Sequence, residues 1–122
     1  TNILGGNLGW NLSATATTTL MTVAAEKIVK INRITVANVD GTSAADVSLF
    51  VDGLTTAGAT GISPTGASAT VYLAKTISVP ADATLVISDT PIYLMEGDIL
   101  KGGASAASDL DLFISYEVLD DA

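Results

Sequence analysis

The stretch Asp109-Leu-Asp-Leu-Phe-Ile-Ser-Tyr-Glu-Val118 alternates between apolar and polar residues. Side chains of a β-strand point to opposite faces with a period of two, so this pattern predicts a strand that is buried on one face only. Phe113 falls in the polar phase, where an aromatic side chain is either an ordinary exposed residue or a contact with another subunit. This strand makes an all-β protein the first hypothesis.

The residues before this strand predict further strands separated by turns. The apolar run Thr84–Ser88 ends near Pro91, which cannot donate a backbone hydrogen bond to a sheet. Glu96-Gly97-Asp98 predicts a tight turn, because glycine adopts the positive φ angles that other residues avoid. Gly102-Gly103 is then expected to end or bend the strand that follows the turn.

Four earlier segments also predict strands. Asn32-Arg33 interrupts the apolar phase of one of them, which indicates a bulge. Lys75 occupies an apolar phase in another, which indicates a bend, a bulge or a side chain that reaches outward. The four segments are 12–23, Glu26–Val39, Ala45–Asp52 and Ser68–Val79. The chain therefore predicts an antiparallel β-sandwich or jelly roll of about seven or eight strands, in which Leu54–Ala67 is a long loop.

The first residues of the chain look different from the rest. Residues 1–11 are rich in glycine and asparagine, and they predict an extended N-terminal arm that precedes a sandwich domain over residues 12–122. Trp10 either covers one end of the core or docks into a neighbouring subunit, since tryptophan is a frequent interface anchor. Phe50, like Phe113, falls in the polar phase of its strand. The predicted interface residues are Ile3, Leu4, Trp10, Phe50 and Phe113.

Composition limits the chemistry that the chain can carry. The 122 residues suit one domain, and 13 acidic against 5 basic residues give a net charge of −8. Phosphate backbones are bound through clustered lysine and arginine, so direct nucleic-acid binding is not expected. The chain has no cysteine and no histidine, which removes the thiol nucleophile and the commonest general base. No apolar run reaches the roughly 18 residues of a membrane-spanning helix.

Carboxylates offer the remaining candidates for chemistry. Asp109 and Asp111 share one face of a strand, but a glycosidase needs two carboxyl groups across a cleft. Five aspartates lie at or near turns, and oxygen ligands suit calcium, but no spacing matches a calcium loop. They are Asp40, Asp52, Asp98, Asp109 and Asp111. The sequence therefore predicts no catalytic residue, no cofactor and no metal site, and it leaves calcium binding open.

Five blocks of sequence occur in order along most of the chain. They are Ile34–Gly41, Val71–Lys75, Val79–Ala83, Pro91–Asp98 and Asp109–Glu117. From about Val29 to Glu117 the chain resembles a group of small virion proteins of tailed bacteriophages, including those of marine and cyanobacterial hosts. The resemblance implies a non-enzymatic structural protein, above all a capsid decoration (cement) protein, that is located in the virion after assembly in the host cytoplasm. It also implies contacts with the major capsid protein or other virion proteins, and a homo-oligomer in which a trimer is favoured.

Two alternatives to capsid decoration stay open at this point. One is a neck, tail or fibre component of the same kind of particle. The other is a carbohydrate-binding jelly roll, for which Tyr72, Tyr93 and Tyr116 would supply aromatic stacking surfaces if they lay close together.

Overall fold

The computed structural model describes residues 3–55 and 62–120, which form nine strands in two antiparallel sheets. One sheet has the order β1-β9-β3-β6, with β7 also paired to β3, and the other has the order β2-β8-β4-β5. This confirms the predicted all-β sandwich. The strands are β1 (Ile3–Asn11), β2 (Thr19–Thr22), β3 (Lys27–Asn38), β4 (Ala45–Asp52), β5 (Val71–Val79), β6 (Thr84–Ser88), β7 (Ile92–Leu94), β8 (Ile99–Ala104) and β9 (Leu110–Asp120).

Strand β9 lies inside the five-stranded sheet, between β1 and β3. Leu110, Leu112 and Ile114 are buried in the core, whereas Phe113 is 46% exposed on the other face. The alternation in the sequence therefore predicted this strand and its two faces correctly. Apolar side chains at every second position supply one continuous layer of the core between the sheets.

Strand β3 contains the bulge that the sequence predicted. The register with β9 shifts between Ile31 and Arg33, so an extra residue enters β3 at that point. Val29 and Ile31 precede the bulge, Ile34 and Val36 follow it, and all four are buried. The apolar residues before and after the bulge are out of phase in the sequence, and the bulge places both sets on the same face of the sheet.

The turn between β7 and β8 is held by its own acidic residue. Gly97 has a φ angle of +86°, as predicted for this position. The buried Asp98 carboxylate accepts a hydrogen bond from the Met95 N–H at 2.8 Å, and the Asp98 N–H donates to the Met95 carbonyl at 3.0 Å. Val23 exchanges two backbone hydrogen bonds with Gly97 and Asp98, so the turn is fixed against the segment that follows β2.

Gly102 and Gly103 lie within β8 and do not end it. A Cβ atom on Gly102 would lie 2.4 Å from the Ser48 carbonyl oxygen, and one on Gly103 would lie 2.4 Å from that of Thr15. Neighbouring backbone therefore passes too close for any side chain, which explains glycine at both positions.

Strand β5 is irregular. Its register with β4 shifts on both sides of Leu49, and Thr76 has a φ angle of +48°. The buried Ser48 hydroxyl accepts a hydrogen bond from the Thr76 N–H at 3.0 Å. The irregularity predicted around Lys75 is therefore a bulge, and a side chain of the neighbouring strand holds it in place.

The start of the chain differs most from the expected strands. Residues 3–11, predicted as an extended arm, are extended and also paired with β9 along nine positions as β1. The predicted strand over 12–23 is reduced to Thr19–Thr22. In the segment before it, the Thr18 hydroxyl bonds the Thr15 carbonyl at 2.8 Å and lies 3.0 Å from the Ser13 hydroxyl. These bonds form a local turn, while the Ser13 and Thr18 carbonyls still accept backbone hydrogen bonds from Ala104 and Gly102 of β8.

Candidate interface along the edge strand

Strand β1 forms one edge of the five-stranded sheet. It pairs with β9 from Ile3↔Leu119 to Asn11↔Asp111 without a register shift, and no described strand pairs with its other side. Its sequence, Ile-Leu-Gly-Gly-Asn-Leu-Gly-Trp-Asn, has no charge and no proline. An edge strand with these properties presents a row of unpaired backbone groups to which another strand can add.

The inner face of β1 carries its larger apolar side chains. Leu4, Leu8 and Trp10 face the same way, because their partners in β9 point into the sandwich. Trp10 packs against the core, while Leu4 is 64% exposed. The Tyr116 side chain lies over Gly6, where a Cβ atom would be 2.7 Å from the tyrosine hydroxyl oxygen. The core is therefore covered at the Trp10 end of β1 and open at the Leu4 end.

An apolar cavity of about 230 Å³ adjoins this open part. It lies between the two sheets, because β2 has only four residues and does not cover the full length of β1. Its apolar walls come from both sheets and include Leu8, Met21, Val29, Tyr116 and Val118. Thr22 and Lys27 also line the cavity, but its walls are mainly apolar, so it extends the apolar surface beside β1.

The outer face of β1 is flat. Gly9 is paired with Phe113, and Gly5 is paired with Glu117. Because glycine has no side chain, the residue of β1 directly opposite Phe113 does not cover it, and its partner on the other side is the small residue Thr35. Phe113 therefore stands out from the sheet next to the free edge.

Four of the five predicted interface residues lie on β1 or on the strand beside it, but at opposite ends and on both faces. Ile3, Leu4 and Trp10 lie on β1, and Phe113 lies on the adjacent strand. The backbone edge was not predicted, because the segment was interpreted as an arm. One signal was available in the sequence: Leu4, Leu8 and Trp10 all occupy even positions, and Gly6 hides the period of two by interrupting the apolar series.

Phe50 is the fifth predicted residue, and its predicted exposure is wrong: it is buried, at 6%. It lies on the outer face of the four-stranded sheet, since Leu49 and Val51 on either side of it face the core. The Tyr72 ring is 4.9 Å away, centroid to centroid, and Lys101 is its partner in β8. Phe50 sits on a central strand, so long side chains of both neighbouring strands cover it.

A polar cluster lies beside Phe50. The Asp52 carboxylate accepts hydrogen bonds from the Lys101 ammonium at 2.8 Å, the Thr70 hydroxyl at 2.7 Å and the Gly53 N–H at 2.8 Å. These bonds, with that from Lys101 the most important, lower the pKa of Asp52 to about 2. A carboxylate with both oxygens occupied is a poor general base at neutral pH, so the cluster links β4, β8 and the residue before β5 structurally.

Three of the other aspartates that suggested calcium or glycosidase chemistry are similarly engaged. Asp40 accepts bonds from the Thr42 N–H and hydroxyl, both at 2.9 Å, which lower its pKa. Asp98 holds its turn, and Asp111 accepts from the Asn11 amide at 2.8 Å. Within residues 3–55 and 62–120, no three or more acidic side chains cluster in a way that could hold a metal ion.

The three tyrosines lie on separate surfaces. Tyr72 is on the outer face of the four-stranded sheet, with the Lys75 ammonium 5.1 Å from its ring centroid. Tyr93 is on β7, and Tyr116 is turned toward the inside of the other sheet over Gly6. They do not form one stacking platform for a saccharide.

Within residues 3–55 and 62–120 the structure has no helix that is long and apolar enough to cross a lipid bilayer.

Comparisons of the chain with protein-family models, with curated proteins and with solved structures found no match. The open edge of β1, with apolar side chains on both of its faces, is the described feature that most resembles a site of interaction.

Proposed function

We propose that this protein is a non-enzymatic structural subunit of a tailed-bacteriophage virion, and specifically a capsid decoration (cement) protein. In this role it would stabilise the head through contacts with the major capsid protein and with its own copies. The observation that carries the proposal is the uncharged edge strand β1 beside the exposed Phe113. A permanently assembled subunit can use such a surface, whereas a monomer usually protects it.

The order of the strands supports the same assignment. With the three-residue β7 left out and the remaining strands renumbered, the two sheets have the orders 1-8-3-6 and 2-7-4-5. We infer from these orders a jelly roll, an architecture used by viral capsid domains and also by lectins. This is an analogy at the level of the fold, and the virion setting itself comes from the resemblance of the five sequence blocks.

The test is to locate the chain on its source particle. We would record cryo-electron micrographs of particles labelled with an antibody fragment raised against this protein. Label spread over the head is the expected result. Label at a single vertex or along the tail would replace decoration by the neck, tail or fibre alternative. Particles without any label would overturn the virion assignment and favour the carbohydrate-binding module, which a glycan array would then examine.

A second experiment tests whether the β1 side makes the contact with the head. Purified protein is added back to undecorated heads, and the bound copies are counted at increasing protein concentration. Phe113→Ser should lower the bound fraction, because Phe113 projects beside the free edge. Val86→Ser is the matched control, since Val86 is similarly exposed at 42% on the same sheet but on the strand farthest from β1. Equal binding by both variants would exclude the β1 side as the contact.

A further inference from the structure

We infer that two copies of this chain pair through β1, antiparallel and across a two-fold axis, so that the five-stranded sheet continues from one copy into the other. This inference concerns the isolated protein and does not depend on the virion assignment. It rests on the state of the sheet edges, the direction of the free backbone groups and the absence of charge on β1.

The described sheets have other edges, and each of these is protected. Strand β2 has only four residues. The edge made by β6 and β7 consists of two short strands interrupted by Pro91. Strand β5 is bulged, and it carries Lys75 and the positive φ angle of Thr76. Short strands, prolines, bulges and lysines are the usual means of preventing strand addition, and β1 has none of them.

The free backbone groups of β1 belong to its odd-numbered residues. Leu12 donates its N–H to the Leu110 carbonyl at 2.8 Å, and this pair continues the register of β1 with β9. Hydrogen-bonded pairs alternate along an antiparallel ladder, so the even-numbered residues of β1 bond to β9. Ile3, Gly5, Asn7, Gly9 and Asn11 therefore direct their N–H and C=O groups toward the open side.

A second copy is the occupant that fits the charge. The chain has a net charge of −8, so two copies repel each other over most approaches. Strand β1 carries no charge over its nine residues, and the side chains brought face to face by a β1–β1 pair are neutral. Because β1 is uncharged in an otherwise acidic chain, two copies can pair through this strand without charge repulsion between the paired strands.

The sequence of β1 is also compatible with itself in the antiparallel direction. With Asn7 opposite Asn7 of the second copy, Ile3 faces Asn11, Gly5 faces Gly9, and the exposed Leu4 faces Trp10. All pairs of odd residues are then hydrogen-bonded pairs, as the direction of the free groups requires. A two-fold interface uses the same patch on both copies, and this register meets that condition.

Single cysteines test this register, since the chain has no cysteine of its own. In Asn7→Cys the two introduced residues would be directly opposite, about 5.5 Å apart at Cα, within the range of a disulfide. Oxidation, or a short bismaleimide, should convert this variant to covalent dimer. Gly5→Cys alone should not react, because its two copies would be four residues apart, about 14 Å.

A mixture of Gly5→Cys and Gly9→Cys should regain cross-linking. Both positions accept a side chain, since the nearest atoms to an added Cβ are at 4.0 Å and 3.7 Å. Asn7→Cys that reacts no faster than Gly5→Cys would overturn the proposed pairing.

Mass measurement by light scattering provides an independent readout. The wild type should be a dimer that dissociates on dilution, and Asn7→Lys should be monomeric with an unchanged circular dichroism spectrum. Ser78→Lys is the matched control, because it places the same charge on the protected edge β5, and it should remain dimeric. A monomeric wild type, or a dimer or trimer that survives Asn7→Lys, would overturn the inference. Neither result alters the location of the chain on a particle, so the two proposals fail separately.

Discussion

Strands β1 and β5 are both nine-residue edge strands, one in each sheet, yet their edges differ. Strand β5 has two register shifts, a charged residue and a threonine at positive φ. Strand β1 keeps one register with its neighbour and carries only neutral residues. Both are compatible with the same sandwich, so the fold alone does not require the flat edge. The difference leaves the backbone edge of β1 open to the addition of another strand, whereas the edge of β5 is protected against it.

The largest expected effect compares a glycine of β8, where packing leaves no room for a side chain, with a glycine of β1, where a side chain fits. Gly102→Ala should destabilise the protein by about 3 kcal/mol or prevent folding, because the new Cβ would overlap the Ser48 carbonyl oxygen and the Leu49 backbone. Gly9→Ala in β1 should change the free energy of unfolding by less than about 0.5 kcal/mol. Urea unfolding followed by circular dichroism measures both. Similar losses in the two variants would show that β1 is packed as tightly as the sheet interior.

The next effect compares the aromatic residue of each edge strand. Trp10 packs against the core, whereas Tyr72 is 46% exposed. Trp10→Ala should cost about 2 kcal/mol and Tyr72→Ala about 1 kcal/mol, in proportion to the apolar surface that each buries. Circular dichroism is again the probe, since Trp10 is the only tryptophan and its removal abolishes that fluorescence signal. A larger loss for Tyr72→Ala would mean that β1 contributes little to the core.

A smaller effect is the pH dependence of stability that comes from Asp52, which is bonded to Thr70 just before β5. Asp52 has a pKa of about 2, below its ordinary value of 3.8, because Lys101 and Thr70 bond its charged form. The stabilisation from this depressed pKa is present above about pH 4 and is lost as the pH falls toward about 2. Asp52→Asn should therefore flatten the dependence of unfolding free energy on pH in this range.

The partner of Asp52 provides the control for that measurement. Lys101→Met removes the main bond to the carboxylate, so it should also flatten the pH dependence. The double variant should add little to either single change, because both act through one interaction. Full additivity of the two changes would assign the depressed pKa to other groups.

The smallest effect concerns the bulge of β5. Thr76 has a φ angle of +48°, which is strained for a β-branched residue and easier for asparagine. Thr76→Asn should stabilise the protein by about 0.5 kcal/mol and should preserve the bond from this backbone N–H to Ser48. Thermal unfolding measures the gain. Thr35→Asn, at an extended position on β3, is the control and should be neutral or destabilising.

Much of the fold was predictable, because its strands show their two faces in the sequence. Ala45–Asp52 and Thr84–Ser88 have the predicted bounds, and the bulge near Asn32 and the turn at Gly97 are confirmed. The failure over residues 12–18 has a local cause. Serine and threonine hydroxyls there bond nearby groups, an option that strand propensity does not represent.

The sequence could suggest residues for the candidate site but not its geometry, and the role of those residues as an interface stays a prediction. The sequence singled out Ile3, Leu4, Trp10 and Phe113 by their type. The position of Phe113 beside β1 depends on the pairing Gly9↔Phe113, between residues about a hundred positions apart, and no local pattern encodes it. The burial of Phe50 was missed for the same reason, since it depends on which strands are its neighbours.

The position of β9 has a consequence for how the chain folds. It is inserted between β1 and β3, and all residues from β2 to β8 separate it in sequence from β1. Contacts this distant are slow to form, and sandwiches dominated by them fold on the order of milliseconds to seconds. Until β9 arrives, β1 and β3 both expose the edges that it will occupy. Refolding should therefore lose yield as protein concentration rises, because chains meet each other before β9 closes the sheet.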